Sequence, residues 1–212
     1  MGLKVLIDND ALLKLSCYGL LDETIAFFGC SSADVFVLAT AKYCLLPVKD
    51  RLRFCRDEDS ATRLENFLKT ASSISAQAVN PDLLDTLNSI PNIDAGEAIL
   101  LAAGAVEKDT VIITGDKRAL AVLCSHEDVA GVSYAWESRV VSMEVLFLHL
   151  ITHSQFAHVQ DCVRSKPRLD KALTIAFGFS EPADFNSVQE GLTSYVQDLR
   201  NMTGMLLYPV PS

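Results

Sequence analysis

Runs of consecutive apolar residues alternate along the chain with longer segments in which apolar residues recur every three or four positions. The runs at 3–7, 35–38 and 110–114 predict β-strands that are buried on both faces, and residues 139–141 predict a short last strand. The segments between these runs predict amphipathic helices. Strands that alternate with helices indicate an α/β fold, with a central parallel sheet between two layers of helices.

Two segments of this pattern are less regular. Residues 49–72 predict helices that are joined around residues 57–59, and residues 74–79 predict a third strand. Asp10 is a candidate cap for the helix that follows the first strand, because a short acidic side chain accepts hydrogen bonds from the first turn. These elements complete the predicted α/β domain.

The last part of the chain has a different pattern. From Gln155 onward the periodicity is helical only, with candidate helices at 169–177 and 184–201. These segments are too apolar to lie free in water, so we expect them to pack against the rest of the protein or against a second copy of it. The sequence therefore predicts an α/β domain over residues 1–153 and a helical C-terminal extension over residues 154–212.

Three acidic residues are predicted to lie at one edge of the sheet. Asp8 directly follows the first strand, and Asp116 follows the strand at 110–114. Glu97 lies in the first turn of the helix that leads to that strand. Ligands of open α/β sheets bind beyond the carboxyl ends of the strands. Because hard divalent cations prefer carboxylate oxygens, this convergence predicts a divalent metal ion.

Each acid also has a purely structural interpretation. Asp94 and Glu97 have the spacing of a capping box, in which each side chain accepts a hydrogen bond from the other residue's backbone. Asp8 could end a strand at a turn, and residues 114–116 could form an ordinary loop into a helix. The metal-site interpretation is favoured by the occurrence of all three acids at one predicted sheet edge.

Composition limits the class of protein without deciding its function. The chain has 212 residues, half of them apolar, and a formal net charge of −9. This charge argues against a protein whose whole surface binds nucleic acid, because such binding requires basic residues that neutralise phosphates. Arg51, Arg53 and Arg56 form one compact basic cluster that could contact phosphates locally. A solvated helix face explains the same cluster almost as well.

Cysteine usage and hydropathy indicate the compartment. The six cysteines form no C-x-x-C pair and most lie in apolar surroundings, so we expect reduced core thiols rather than zinc ligands or disulfides. No run approaches eighteen uncharged apolar residues, and no basic segment precedes an apolar one near the start. We therefore expect a cytoplasmic protein that neither crosses a membrane nor is exported.

Several segments, taken together and in this order, resemble the PIN domain family of small α/β metal-dependent ribonucleases, which includes many toxins of toxin–antitoxin pairs. The segments are residues 5–13, 97–102 and 111–116, and residues 140–144 resemble the last strand and helix of the family. The likeness covers roughly residues 3–153. It implies a three-layer α/β/α fold of the PIN type and an endoribonuclease with an RNA substrate. An antitoxin protein or a second copy of the chain would be its further partner.

The resemblance also implies a metal site and a mechanism. The catalytic and metal-binding residues would be Asp8, Glu97 and Asp116. They would hold one or two Mg²⁺ or Mn²⁺ ions, which activate a water molecule for attack on an RNA phosphodiester and stabilise the charge that develops. Asp94 is a further candidate ligand, and Asp10 either adds a ligand or caps the helix. Thr114 would hydrogen-bond to a neighbouring carboxylate and orient it.

One departure from the family pattern leaves an alternative open. Many PIN domains carry a further Glu on the helix after the second strand, whereas residues 40–46 contain no acid and include Lys42. A site with fewer acids holds a second ion less well. The chain could therefore be a PIN-like module with weak or no catalysis that binds a protein partner.

A third class shares some of these residues. Asp8 and Asp10 resemble the nucleophile motif of haloacid-dehalogenase-like phosphatases, in which the first Asp attacks phosphorus and the second acts as acid and base. That family needs its Thr and its Gly-Asp on different strands, whereas residues 114–116 are contiguous here. His149 and His153 are four residues apart, but without the rest of a metalloprotease motif we expect them to be ordinary helix-face residues.

Overall fold

The computed structural model describes residues 2–126 and 129–211. Its strands are β1 (Lys4–Ile7), β2 (Val35–Leu38), β3 (Ser72–Ile74), β4 (Thr110–Thr114) and β5 (Val140–Ser142). They form one parallel sheet in the order β3-β2-β1-β4-β5. All five residues of β4 are buried, as expected for a strand with helices on both faces. The predicted three-layer α/β/α fold with a central parallel sheet is confirmed.

The helices of the described residues account for most of the rest of the structure. In chain order they are α1 (Asn9–Tyr18), α2 (Leu21–Phe28), α3 (Ala41–Leu45), α4 (Glu58–Thr70), α5 (Pro81–Asn88), α6 (Ala95–Ala105), α7 (Lys117–Ser125), α8 (Ala130–Ala135), α9 (Met143–His153), α10 (Phe156–Arg164), α11 (Lys171–Ala176) and α12 (Phe185–Thr203). None of them is long and apolar enough to cross a membrane.

The sheet register brings the ends of β1 and β4 together. Ile7 lies opposite Ile113, and the next backbone N–H, that of Asp8, donates to the Ile113 carbonyl at 3.1 Å. Both strands therefore end at the same level, and the residues that follow them meet at one edge. The α6 helix contacts β1, β2 and β4. Its first residues line one cavity together with Asp8 and Asp116, so its N-terminus lies at the same edge.

Three local predictions were wrong. The third strand is β3 at residues 72–74, and the predicted strand at 74–79 contains a short 3₁₀ turn at Ala76–Ala78. Only the second half of the segment 49–72 is an α-helix, because Asp57 caps α4 and the residues before it form turns. The first helix is capped by Asp8 rather than Asp10, since α1 begins at Asn9, immediately after the strand ends.

The C-terminal extension is helical over most of its length and packs on the α/β layers. The α12 helix lies against α9 and α7, and nine consecutive residues of α9, 143–151, are buried as a result of packing on both sides. The helix α10 was not among the candidate helices. The extension does not stay helical to its end, because Leu207 pairs with Val140 in a parallel β-bridge beside β5. The domain boundary at residue 153 stays a prediction.

The six cysteines are all free thiols, and they differ in exposure. Cys17 and Cys55 are buried, whereas Cys44 is exposed and so is not the core thiol that the apolar context predicts. Its helix, α3, has only five residues, and Tyr43 beside it is exposed as well. A helix this short buries one side and leaves the other in water.

Candidate functional site

A cavity of about 590 Å³ opens at the sheet edge where β1 and β4 end. Its walls are the N-termini of α1, α6 and α7, the end of β2, and α3. Five acidic residues line it, namely Asp8, Asp10, Asp94, Glu97 and Asp116. No Lys, Arg or His is among the lining residues in the described part of the chain. The three acids that the sequence predicts to converge therefore face one space.

Asp8 is the most buried of these acids, with 8 % of its surface exposed. Its Oδ1 accepts the Ala11 N–H at 2.6 Å as the cap of α1, and its Oδ2 accepts the Gly115 N–H at 3.1 Å. Burial raises the pKa of Asp8 to about 6, against the lowering effect of a hydrogen bond from the Thr114 side chain. Asp8 thus ties the end of β4 to the start of α1.

Thr114 and Asp116 shape the turn from β4 into α7. The Thr114 hydroxyl accepts the Asp116 N–H at 3.1 Å, and Asp116 Oδ1 accepts the N–H groups of Arg118 and Ala119 at 2.8 and 3.0 Å. Gly115 between them has to be small, because a Cβ there would lie 2.8 Å from Asp10 Oδ2. The turn holds the Asp116 carboxylate at the cavity wall.

Glu97 enters the cavity from the first turn of α6. Its Oε2 accepts the Asp94 N–H at 2.8 Å, and Asp94 Oδ1 accepts the Glu97 N–H at the same distance, so the capping box is present. Burial raises the pKa of Glu97 to about 7, and repulsion by Asp94, Asp116 and Asp8 adds to the effect. Glu97 therefore caps its helix, and its pKa is also raised by the other acids of the cavity.

Two of these acids lie near a cation: the exposed Arg118 guanidinium is 3.6 Å from Asp116 Oδ2, and Asp10 has a closer partner. Lys14 Nζ lies 2.7 Å from Asp10 and 2.8 Å from Asp170, the cap of α11 in the C-terminal extension. Burial lowers the pKa of Lys14, but the two carboxylates outweigh this effect and raise it to about 12. Asp10 thus shares one positive charge with Asp170, and this ion pair makes it a weaker candidate ligand than its position suggests.

The lining residues around α3 are Thr40 and Cys44, and among the described residues this wall carries no acid. Lys42 pairs with Glu65 at 3.9 Å and does not line the cavity. The buried Asn9 Oδ1 at the start of α1 has no hydrogen-bond partner within the described ranges. Sequence analysis missed Asn9, Thr40 and Cys44 as lining residues, because small polar side chains carry no distinctive pattern.

The three arginines of the predicted basic cluster have different surroundings in the structure. Arg51 pairs with Glu58 and with Glu65, the latter at 3.0 Å, so its charge is compensated. Arg53 lies over the Phe54 ring at 5.2 Å, and Arg56 lines a different cavity. None of the three lines the acidic cavity.

The histidines of α9 are structural, in keeping with the sequence interpretation. His149 is buried, contacts the Pro209 carbonyl through Nε2 at 2.8 Å and stacks on Phe27. Burial lowers the pKa of His149. His153 hydrogen-bonds to the His149 carbonyl through Nδ1. Both rings anchor α9 rather than face the acidic cavity.

The acids of the cavity fit a hard divalent cation in chemistry but are not arranged as a ligand shell. Carboxylates are the preferred donors of Mg²⁺ and Mn²⁺, and each has about four lone-pair sites. Capping uses only Oε2 of Glu97 and Oδ1 of Asp116. Yet among residues 2–126 and 129–211 no three His, Cys, Asp or Glu side chains form a group placed to hold a metal ion. Ion binding would require these side chains to move closer.

Comparisons of the chain with protein-family models, curated proteins and solved structures returned no match. The function is therefore inferred from the residues of the cavity and their chemistry.

Proposed function

We propose that the protein is a divalent-metal-dependent endoribonuclease of the PIN type, with the acidic cavity as its active site. The observation that carries this proposal is the meeting of Asp8, Glu97 and Asp116, from three separate elements, in one cavity that no Lys, Arg or His of the described residues lines. Burial and mutual repulsion raise the pKa of Glu97 to about 7. The helix caps that these side chains form do not depend on their closeness to one another, and a bound Mg²⁺ or Mn²⁺ ion would relieve the repulsion among them.

In this proposal, Asp8, Glu97 and Asp116 are the metal ligands. When bound, the ion supplies an activated water and charge neutralisation at the phosphate. Asp8 is held by two backbone N–H groups, so its position is fixed by the fold. The capping oxygens of Glu97 and Asp116 orient those side chains. The second oxygen of each would bind the ion, which at Asp116 means competing with the exposed Arg118 guanidinium, 3.6 Å from Oδ2. Thr114 is a positioning residue, because its hydroxyl connects Asp8 to the Asp116 backbone.

The site favours a nuclease over a phosphatase with an aspartyl nucleophile. Such a nucleophile has to be exposed to attack phosphorus, but both oxygens of Asp8 accept backbone N–H groups and the residue is buried. Its proposed acid–base partner, Asp10, is paired with Lys14. The absence of an acid on α3 predicts weak binding of a second ion and therefore slow cleavage.

The test is cleavage of a mixed pool of single-stranded RNA by the wild type and Asp116→Asn, with Mn²⁺, with Mg²⁺ and with chelator. Asparagine caps a helix as well as aspartate does, so α7 should survive while the charge is lost. Asp184→Asn is the matched control, because Asp184 caps α12 in the same way but does not line the cavity. We expect metal-dependent cleavage by the wild type and the control, and little cleavage by Asp116→Asn.

Metal binding provides a second measurement that does not depend on activity. Titration of Mn²⁺, followed by calorimetry, should show binding to the wild type and a loss of affinity in Asp116→Asn. Cleavage that persists with chelator, or equally in Asp116→Asn, would place the activity elsewhere. A folded wild-type protein that neither binds Mn²⁺ nor cleaves RNA would refute the proposal and favour a module that binds a protein partner.

A further inference from the structure

A second cavity, of about 230 Å³, lies between the loop before α4 and the loop before α11. It is lined by side chains from three parts of the chain, namely Cys17 of α1, residues 54–56, and residues 166–169. Three of its lining residues are cations, Arg56, Lys166 and Arg168, and in the described part of the chain none of the lining residues is an acid. The rest of its wall is apolar, apart from two thiols. In a protein with a net charge of −9, this concentration of positive charge needs an explanation.

Internal ion pairs explain only one of the three cations. Lys166 Nζ lies 2.6 Å from Asp57 Oδ2 and so links the extension to the cap of α4. Within residues 2–126 and 129–211, neither Arg56 nor Arg168 forms an ion pair or a side-chain hydrogen bond with the protein. Two guanidinium groups that face one cavity without a counter-charge repel each other, which does not stabilise the fold.

The backbone and ring geometry of the loop also favour a ligand. Arg56 has a φ of 65°, which a residue with a large side chain rarely adopts. Phe54 lines the same cavity with 37 % of its surface exposed, and the Arg53 guanidinium lies 5.2 Å from its ring centre. Guanidinium groups bind phosphate oxygens through two parallel hydrogen bonds, and an exposed aromatic ring stacks on a nucleobase.

We propose that the cavity formed by Arg56, Lys166, Arg168 and Phe54 binds the phosphates and one base of single-stranded RNA outside the acidic site. The substrate class rests on the function proposed above. Cys17 of this cavity lies about 13 Å along α1 from Asp8, given the rise of an α-helix. The two sites are thus separate, and the basic one supplies the attraction for phosphate that the acidic one lacks. It also gives the C-terminal extension a part in substrate binding.

The proposal is tested by binding rather than cleavage. The full-length protein is titrated into a fluorescent single-stranded RNA of ~8 nucleotides, with chelator present so that a metal-dependent nuclease leaves the RNA intact. Anisotropy is followed at several salt concentrations for the wild type and the double variant Arg56→Gln/Arg168→Gln. Both arginines are exposed, so the substitutions should leave the fold intact, which circular dichroism melting verifies.

The expected result is a weaker and less salt-dependent complex. Each phosphate contact that is lost should reduce the slope of log K against log salt by about 0.7, or about 1.4 for two contacts. Lowering the salt from 1 M to 0.05 M should therefore raise the affinity of the wild type about 60-fold more than that of the variant. Lys69→Gln/Lys108→Gln removes the same charge from exposed residues that do not line the cavity, and it should bind almost as the wild type does.

Phe54→Ala tests the contribution of base stacking to RNA binding separately from that of charge. It should weaken binding by at least about fivefold, which corresponds to one stacked base, without changing the salt slope. The proposal would be overturned if the wild type and the arginine variant had equal affinity and slope, or if the lysine control lost as much affinity as the arginine variant. A wild type that binds no RNA would overturn it as well. Cleavage is scored separately: a nuclease whose arginine variant binds normally refutes only this inference, whereas cleavage unaffected by Asp116→Asn refutes only the proposed function.

Discussion

The substitution Glu97→Gln should stabilise the metal-free protein above neutral pH. Glutamine serves in a capping box as glutamate does, so its side-chain oxygen can still accept the Asp94 N–H. The substitution removes only the charge, which burial and the neighbouring acids disfavour. The pKa of Glu97 rises from 4.5 to about 7 on folding. This difference corresponds to about 3 kcal/mol for a fully buried group, and because the side chain is partly open to water, we expect about 1 kcal/mol after solvent screening.

The effect should depend on pH in a defined direction. A carboxyl whose pKa is raised by folding binds more protons in the native state, so the stability of the wild type should fall as the pH rises from 4.5 to about 7. The gain from Glu97→Gln should therefore be absent near pH 4 and complete above pH 7. For a chain of this size, about 1 kcal/mol corresponds to a rise in Tm of about 2–4 °C.

Urea unfolding in the presence of chelator, at several pH values, measures this difference. Asp184→Asn is again the matched control, because hydrogen bonds with Ser187 lower the pKa of that exposed cap and its substitution should give no gain at neutral pH. Excess Mn²⁺ should stabilise the wild type more than Glu97→Gln, since the ion compensates the charge that the variant lacks. A loss of stability that is the same at every pH would show that Glu97 only caps α6.

Two further predictions concern the core. Gly104→Ala should destabilise the protein by about 1–3 kcal/mol, because a Cβ there would lie 2.2 Å from the ring of the buried Trp136. At Gly131 a Cβ would meet no atom of the described residues within 4 Å, so Gly131→Ala should instead stabilise its helix by about 0.5–1 kcal/mol. Both are measured by urea unfolding. Leu206→Ala should cost about 2–5 kcal/mol, because Leu206 is buried beside β5, whereas the exposed Met205→Ala should change the free energy of unfolding by less than about 0.5 kcal/mol. Equal effects within either pair would contradict the packing described here.

The sheet and the meeting of the three acids were predictable, because both depend on local patterns. Uninterrupted apolar runs such as 111–113 in β4 occur where a strand is covered on both faces. The carboxyl ends of such strands lie at one edge, so residues that follow them, such as Asp8 and Asp116, are brought together by topology alone. Their separation within the cavity was not predictable, since it depends on side-chain rotamers and on which oxygen each cap uses.

Contacts between distant parts of the chain could not be predicted in the same way. Asp10 and Lys14 are four residues apart on one helix, a local spacing that favours an ion pair. Asp170, which is 156 residues beyond Lys14, shares the same ammonium group, and no periodicity couples it to that position. Likewise, the pairing of Leu207 with Val140 ends the helical extension in a β-bridge, because the edge of β5 leaves backbone groups that need partners.

The capping box of α6 shows why structural and chemical interpretations of one motif need not exclude each other. A cap requires one carboxylate oxygen at a helix N-terminus, and Glu97 meets this need with Oε2 alone. Glutamine would do the same without any charge, and it would avoid the repulsion from Asp8 and Asp116 that helps raise the pKa of Glu97 to about 7. The capping role needs the shape of the side chain, whereas burial and the neighbouring acids oppose its charge in the metal-free protein. That charge is what the proposed metal site requires.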